Sequence, residues 1–510
     1  MFPWLTTLGL IPLVGAIVVA LMGRAAAGKL VALVVSLATL AVSIGAAMQF
    51  DTASSAQFQL TEVYPWIPQW GISYAVGVDG MALAMIVMGA ILVPVCILAA
   101  WNDVPEGGAR ENRYFAWMLF LEAVIIGVFA ATDVFLFYVF FEVMLIPVFF
   151  LIGSYGGPGR RAAAMKFLLF SLAGGLIMLV AVIAMYGIGP GGERAFLVES
   201  LTGLQMSATT EMLLFLGFFI AFAIKAPMWP VHTWLPDAAT EARPATAVLL
   251  VGVLDKVGTF GMIRFCLQMF PEASKSAAPV IVTLAVVSVI YGAVLAIGSK
   301  DMMRLIAYTS VSHFGFIVLG IFAFTSVSEA GSVLYMVNHG FSTGALFLIA
   351  GMLIARGGSK YWDAYGGWQR ITPVLAGVFL VSGLNALALP GLGSFVGEYL
   401  VLVGSFGTQP VAAVISATAL ILAALYILLL YQRMFTGPKP EDRAGVSDLS
   451  MREKWVVAPL IVLFVVLGFY PKVALDVINP SVEQTLSIVG VSDPAPAAGG
   501  HVNLSNGSEK

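Results

Sequence analysis

Residues 215–247 read FLGFFIAFAIKAPMWPVHTWLPDAATEARPATA. A long apolar run ends in a lysine, Lys225, and three prolines follow it: Pro227, Pro230 and Pro236. Proline removes a backbone donor and breaks a helix. Irregular backbone at membrane depth is tolerated only where protein encloses it or where it lines a cavity. A lysine at mid-bilayer costs more than ~2.5 kcal/mol unless it is paired or hydrated. The stretch therefore predicts a helical membrane protein with an ion site at an interrupted helix, its breaks at Pro227 and Pro230.

The rest of the chain agrees with a lipid solvent. Its 510 residues are 60% hydrophobic and only 10% charged, with a mean hydropathy of +0.97. Soluble domains carry roughly a quarter charged residues. A net charge of −3 without any basic block argues against a nucleic-acid partner. Cys96 and Cys266 both lie in apolar stretches, with no CxxC and no metal-ligand spacing, so neither disulfide, zinc nor iron–sulfur cluster is expected.

Apolar runs long enough to cross a bilayer begin near residues 3, 29, 77, 113, 133, 164, 210, 244, 278, 304, 332, 372, 410 and 455. The expected fold is thus an all-α polytopic membrane protein of fourteen spans. The first run has no cation before Arg24 and reads as a retained span rather than a secretory signal. Of the 25 Lys and Arg residues, 18 fall in one set of alternate loops, among them Arg24, Arg110, Arg160, Arg243, Lys300, Arg304, Lys360, Arg433 and Arg452. The opposite set holds Arg194, Lys275, Lys472 and Lys510. The positive-inside bias predicts a multi-pass inner-membrane protein with the cation-rich loops cytoplasmic and both termini external. A polar tail over residues 479–510, with His501 in it, is expected to be flexible and external.

The three remaining cations, Lys225, Lys256 and Arg264, lie inside apolar helices. Arg264, toward the outer end of its span, is expected to snorkel to the interface. Glu142, in TDVFLFYVFFEVMLIPVFFLIG, is an acid deep in an apolar run, and Glu122 is a second with a weaker case. A carboxylate there needs a partner or protonation. A second interrupted helix, FLVSGLNALALPGLGSFVGEYLVLVGSF, breaks at Pro390 and Gly391 and carries Glu398. Between the two breaks lie His313 and His339 on helices flecked with hydroxyls, and imidazole suits proton relay. One interrupted helix in each half of the chain is the pattern of inverted-repeat transporters. The expected organisation is spans 1–3 in 1–110, a first five-helix repeat (spans 4–8) in 111–270, and a second, inverted repeat (spans 9–13) in 271–436. A loop and span 14 follow in 437–478. Glu142, Lys225, Lys256, His313, His339 and Glu398 are read as a hydrated proton path. A purely structural reading would leave these charges buried at a cost without purpose.

The stretches FFEVMLIPVFFLIGSYGG, FAIKAPMWPVHTWLPDAATEARP, RLIAYTSVSHFGF and NALALPGLGSFVGE resemble the antiporter-like subunits of respiratory complex I, the NADH–quinone oxidoreductase, and within them the M type. The resemblance implies that Glu142, Lys225, Lys256 and Glu398 match that family's proton-path acid, two lysines and terminal acid. The L- and N-type subunits and Mrp-type sodium/proton antiporters usually have lysine at the last position, so Glu398 points to the M type. No long lateral helix of the L type is expected. Ala239 departs from the family, which often has histidine there. Proton pumping coupled to NADH oxidation would follow, with nicotinamide, flavin, iron–sulfur clusters and quinone bound by partners and no cofactor bound here. Those partners would be L-, N-, A-, J- and K-type subunits. The readings set against this one are an Mrp-type antiporter subunit, a subunit of an energy-converting hydrogenase, and a passive scaffold.

Overall fold

The computed structural model describes residues 2–104, 106–443 and 445–494. Twelve helices among them are long and apolar enough to cross a bilayer. They run from Trp4–Leu21 and Gly28–Met48 to Pro410–Phe435. A thirteenth span results when the bent pair Met451–Phe469 and Lys472–Val489 is taken as one. The expected twelfth span is two shorter apolar helices, Pro373–Ala386 and Gly393–Phe406. Numbered as the sequence predicts, the spans that matter below are the fifth (Val134–Tyr155), sixth (Arg160–Ile188), seventh (Ala208–Lys225), eighth (Pro244–Leu267), ninth (Pro271–Gly298), tenth (Met302–Ile321), eleventh (Ser326–Gly357), the split twelfth, and the thirteenth (Pro410–Phe435).

Burial grades from the centre outward. The most apolar window of the eighth span is 100% buried and those of the tenth and eleventh 89%, against 33% and 28% for the first two spans. The outer helices present aliphatic side chains such as Val34, Leu176, Val180 and Ile183. Lipid or a neighbouring subunit can cover that surface without desolvating a polar group. Close approach at the centre depends on missing side chains. A Cβ on Gly258 of the eighth span would come within 2.5–2.6 Å of the seventh span's backbone at Ala226 and Phe222. The charged centre therefore sits on elements that cannot slide apart without opening the core.

Three features depart from the hydropathy reading. Residues 51–76, which hydropathy leaves featureless, contain most of an antiparallel hairpin of β1 (Gln59–Ile67) and β2 (Ile72–Val78). Thr6 of the first span bonds Glu62 and Tyr74 of that hairpin. Residues 479–489 are not a flexible tail but the continuation of helix Lys472–Val489, which is bent by 68° from Met451–Phe469. Ile478, Val482, Leu486 and Val489 recur at helical spacing and are buried, an amphipathic stripe that outweighs the local polarity. His501 lies outside the described residues. Finally, the eighth span is wound as π-helix on both sides of Lys256, over Val248–Leu254 and Met262–Leu267.

Candidate functional site: a buried polar track

Both interrupted helices place an ionisable residue beside their break. The seventh span ends at Lys225 and helix resumes at Trp234, with Pro227 and Pro230 in the irregular stretch between. The broken end is not left bare. Trp234 Nε1 donates to the Ile224 carbonyl at 2.9 Å, and Ser288 Oγ of the ninth span accepts from Trp229 N–H at 2.8 Å. Such partners replace the intrahelical bonds that the prolines remove. In the twelfth span the gap falls between Ala386 and Gly393 and contains Pro390 and Gly391. Gly391 takes φ +93°, where a side chain would strain the backbone. Asn385 Oδ1 then accepts from Ser394 N–H at 3.2 Å, and Asn338 Nδ2 donates to Gly393 O at 2.7 Å.

Lys225 is fully buried, and its ammonium has no hydrogen-bond partner. It rests over two aromatic faces, 4.9 Å from the centre of Phe141 and 5.5 Å from that of Phe167. Cation–π contacts hold a desolvated ammonium without neutralising it. Glu142, next to Phe141, is within electrostatic reach of Lys225, but no ion pair closer than 4.0 Å joins them. Its Oε1 is enclosed without a partner and lies against Gly175 of the sixth span, in space that a Cβ there would occupy.

The second cluster is connected atom to atom. Lys256 Nζ donates to Val251 O at 2.8 Å and lies 2.5 Å from His339 Nδ1. The rings of His339 and His313 meet edge to face with centroids 5.2 Å apart. The His313 ring lies 5.7 Å from that of Tyr335, whose hydroxyl donates to Glu398 Oε2 at 2.7 Å. Lys256, His339, His313, Tyr335 and Glu398 thus make one track through the eighth, eleventh, tenth and twelfth spans.

Glu142 and Lys225 sit apart from this track, and the group near both lysines is Asp255. It is completely buried, neither oxygen has a hydrogen-bond partner, and it feels the charge of both Lys225 and Lys256. Asp255 is not among the residues that the sequence singled out, since a neighbour in the chain projects about 100° away from Lys256 on an ideal helix. Tyr335 was also missed, although it precedes His339 by one helical turn and shares its face. Arg264 does not snorkel. It is 1% exposed and pairs with Asp79 at 2.8 Å, under the rings of Phe58 and Phe260. Asp79 and Phe58, on either flank of the hairpin, cover the guanidinium. Glu122 is buried with neither oxygen partnered, away from the track. Among the described residues no cluster of His, Cys, Asp and Glu could hold a metal ion.

Comparison with known proteins places this architecture. Residues 131–423 match the family described as NADH:quinone oxidoreductase/Mrp antiporter, transmembrane. The chain is 49% identical to NADH-quinone oxidoreductase subunit M of Mycobacterium tuberculosis, over 97% of this chain and 96% of that protein. It is 39% identical to the subunit of the same name from Escherichia coli K12, over 84% and 85%. Among solved structures, a chain of respiratory complex I from Thermus thermophilus superposes with a TM-score of 0.87 at 30% identity, covering 96% of this chain and all of that one. A chain of the Mrp complex from Dietzia shares the fold, with a TM-score of 0.83 at 21% identity over 96% and 100%.

Proposed function

The chain belongs to the NADH:quinone oxidoreductase/Mrp antiporter transmembrane family, among relatives named subunit M, and from that premise we propose that it carries protons across the membrane within a NADH:quinone oxidoreductase. The observation that carries the reading is the contact track from Lys256 through His339, His313 and Tyr335 to Glu398, buried throughout. Each member can hold or pass a proton, and the spans around it exclude bulk water.

The mechanism follows from the charges. Lys225 and Glu142 favour each other's ionised form when close and lose that support when apart. With Glu142 neutral, the Lys225 ammonium has only aromatic faces around it and favours release of its proton. The Asp255 carboxylate, within electrostatic reach of both lysines, takes up that proton and passes it to a neutral Lys256 amine. From Lys256 the His339–His313 pair leads to Glu398, which takes up the proton as the terminal site or responds to a neighbouring subunit. The two interrupted helices, one in each five-span repeat of inverted topology, let each half move a short distance without breaking a long helix. The cation-rich loops face the cytoplasm and both termini lie outside. Redox chemistry belongs to partner subunits that bind nicotinamide, flavin, iron–sulfur clusters and quinone. L-, N-, A-, J- and K-type subunits are the expected membrane neighbours.

The test is NADH-driven proton uptake by inside-out vesicles carrying Glu142→Gln or Lys256→Ala, beside NADH oxidation and a check of complex assembly. At least a tenfold loss of uptake in an assembled complex is expected for both. Parental uptake in both variants would reduce these residues to structural charges and leave a scaffold. Uptake that follows a sodium gradient and ignores NADH would favour an antiporter outside any oxidoreductase.

A further inference from the structure

Tyr426 belongs to none of the groups above, yet it touches the track. It is buried on the thirteenth span, and its hydroxyl lies 3.5 Å from His313 Nε2, the outer limit of a direct hydrogen bond. Tyr426 also lines a cavity of about 50 Å³. A water molecule needs roughly 10–15 Å³ of such space, so a few waters fit. Leu305, Leu430, Ser299, Trp362 and Arg433 also line it. Those last three residues follow the ninth span, follow the eleventh and close the thirteenth, at the helix ends that carry the cation-rich loops. From Arg433 to Tyr426 is two helical turns, about 10 Å along the axis. The cavity therefore covers the distance between the cation-rich surface and the first residue in contact with His313.

Two contacts that can open join these residues. Trp362 Nε1 donates to Ser299 O at 3.1 Å, and the Arg433 guanidinium lies 4.3 Å from the centre of the Trp362 ring. Neither contact crosses a helix–helix core, and Arg433 is exposed. His313 Nδ1, on the far side of the imidazole, has no partner among the described residues and is free to carry a proton while Nε2 accepts one.

We propose that this cavity is the inlet through which protons from the cation-rich face reach His313, with the Tyr426 hydroxyl as relay and the Trp362–Arg433 stack as cover. A protonated water in the cavity gives its proton to the phenol oxygen as the phenol O–H proton passes to His313 Nε2. Tyr426 ends neutral, His313 ends as imidazolium, and no electron moves. The proposal rests on the reading of the Lys256–Glu398 track as a proton path.

The test uses assembled complex in inside-out vesicles. Tyr426→Phe is expected to lower NADH-driven proton uptake at least fivefold. Leu430→Cys is expected to react with a small cationic thiosulfonate from the cation-rich side and to lose uptake after labelling. Ser299→Cys replaces it if Leu430→Cys does not assemble. Cys96 and Cys266 are buried, and Leu428→Cys, on the exposed side of the same helix, is expected to pump normally with or without reagent. A Tyr426→Phe complex that pumps at the parental rate overturns the inlet, and so does a cavity cysteine that the reagent does not reach. Lys256→Ala, a change within the track itself, separates the two failures. If it is inactive while Tyr426→Phe is normal, the track stands and the inlet is elsewhere. If both are normal, the track reading itself has failed.

Discussion

Arg264 and Lys225 are both cations in apolar helices, and the structure treats them in opposite ways. Arg264 is paired with Asp79 and covered by two aromatic rings, whereas Lys225 is given aromatic faces and no carboxylate within bonding distance. A buried ion pair returns little net stability, but removing one partner strands the other and costs about 3–5 kcal/mol. Asp79 also caps the third span, Gly80–Asn102, accepting from Ala82 N–H at 2.8 Å. Asp79→Ala should therefore destabilise the detergent-solubilised protein by about 3–5 kcal/mol. The double change Asp79→Leu with Arg264→Met should recover most of that loss. Unfolding midpoints of the two variants check this, and a single variant as stable as the parent would show that the pair holds nothing. The sequence showed that both residues were unusual, because each is a cation in an apolar run. It did not show which was structural, because Asp79 is far from Arg264 in the chain and becomes its partner only when the hairpin folds over.

Among the elements, the breaks were legible and the windings were not. Pro227 and Pro230 announce the first gap and Pro390 and Gly391 the second, since each proline removes a backbone donor and glycine tolerates the positive φ found at 391. The π-helical turns around Lys256 have no such marker. The hairpin was invisible to hydropathy, and its attachment carries a titration. Asp133, just before the fifth span, accepts from Leu136 N–H at 2.9 Å and Ser73 N–H of β2 at 3.1 Å. Burial pushes its carboxyl up from 3.8 to about 6, against the pull of those backbone donors. Because the folded value lies above the unfolded one, the favourable contribution is complete below pH 3.8 and is lost as the pH rises through about 6. Hydrogen exchange at β2 and at the start of the fifth span should accordingly show more frequent opening at pH 7 than at pH 4, after correction for intrinsic rates. Asp133→Asn should flatten that difference, and an unchanged pH dependence in the variant would assign the effect to another group.

At the scale of the whole molecule, the burial gradient and the polar track are two sides of one arrangement. The eighth, tenth and eleventh spans are the most enclosed, and they carry Lys256, His313, His339 and Tyr335. Glu398 and Tyr426 reach that centre from the split twelfth and the thirteenth spans. The contacts join Lys256 to Glu398 through His339, His313 and Tyr335, with Tyr426 meeting the line at His313, so the proposed conduction from Lys256 to Glu398 is a series. In a series the slowest step sets the flux, and a second block downstream of the first adds little. Lys256→Ala and Glu398→Gln should each lower NADH-driven proton uptake at least tenfold, and the double variant should be no slower than the slower single variant. Two independent routes would instead make each single loss partial and the double loss close to their sum. Uptake measured in the three assembled variants under one set of conditions separates these cases. A double variant that multiplies the single effects would mean that the two residues act on different steps, and that the line of contacts from Lys256 to Glu398 is not one path.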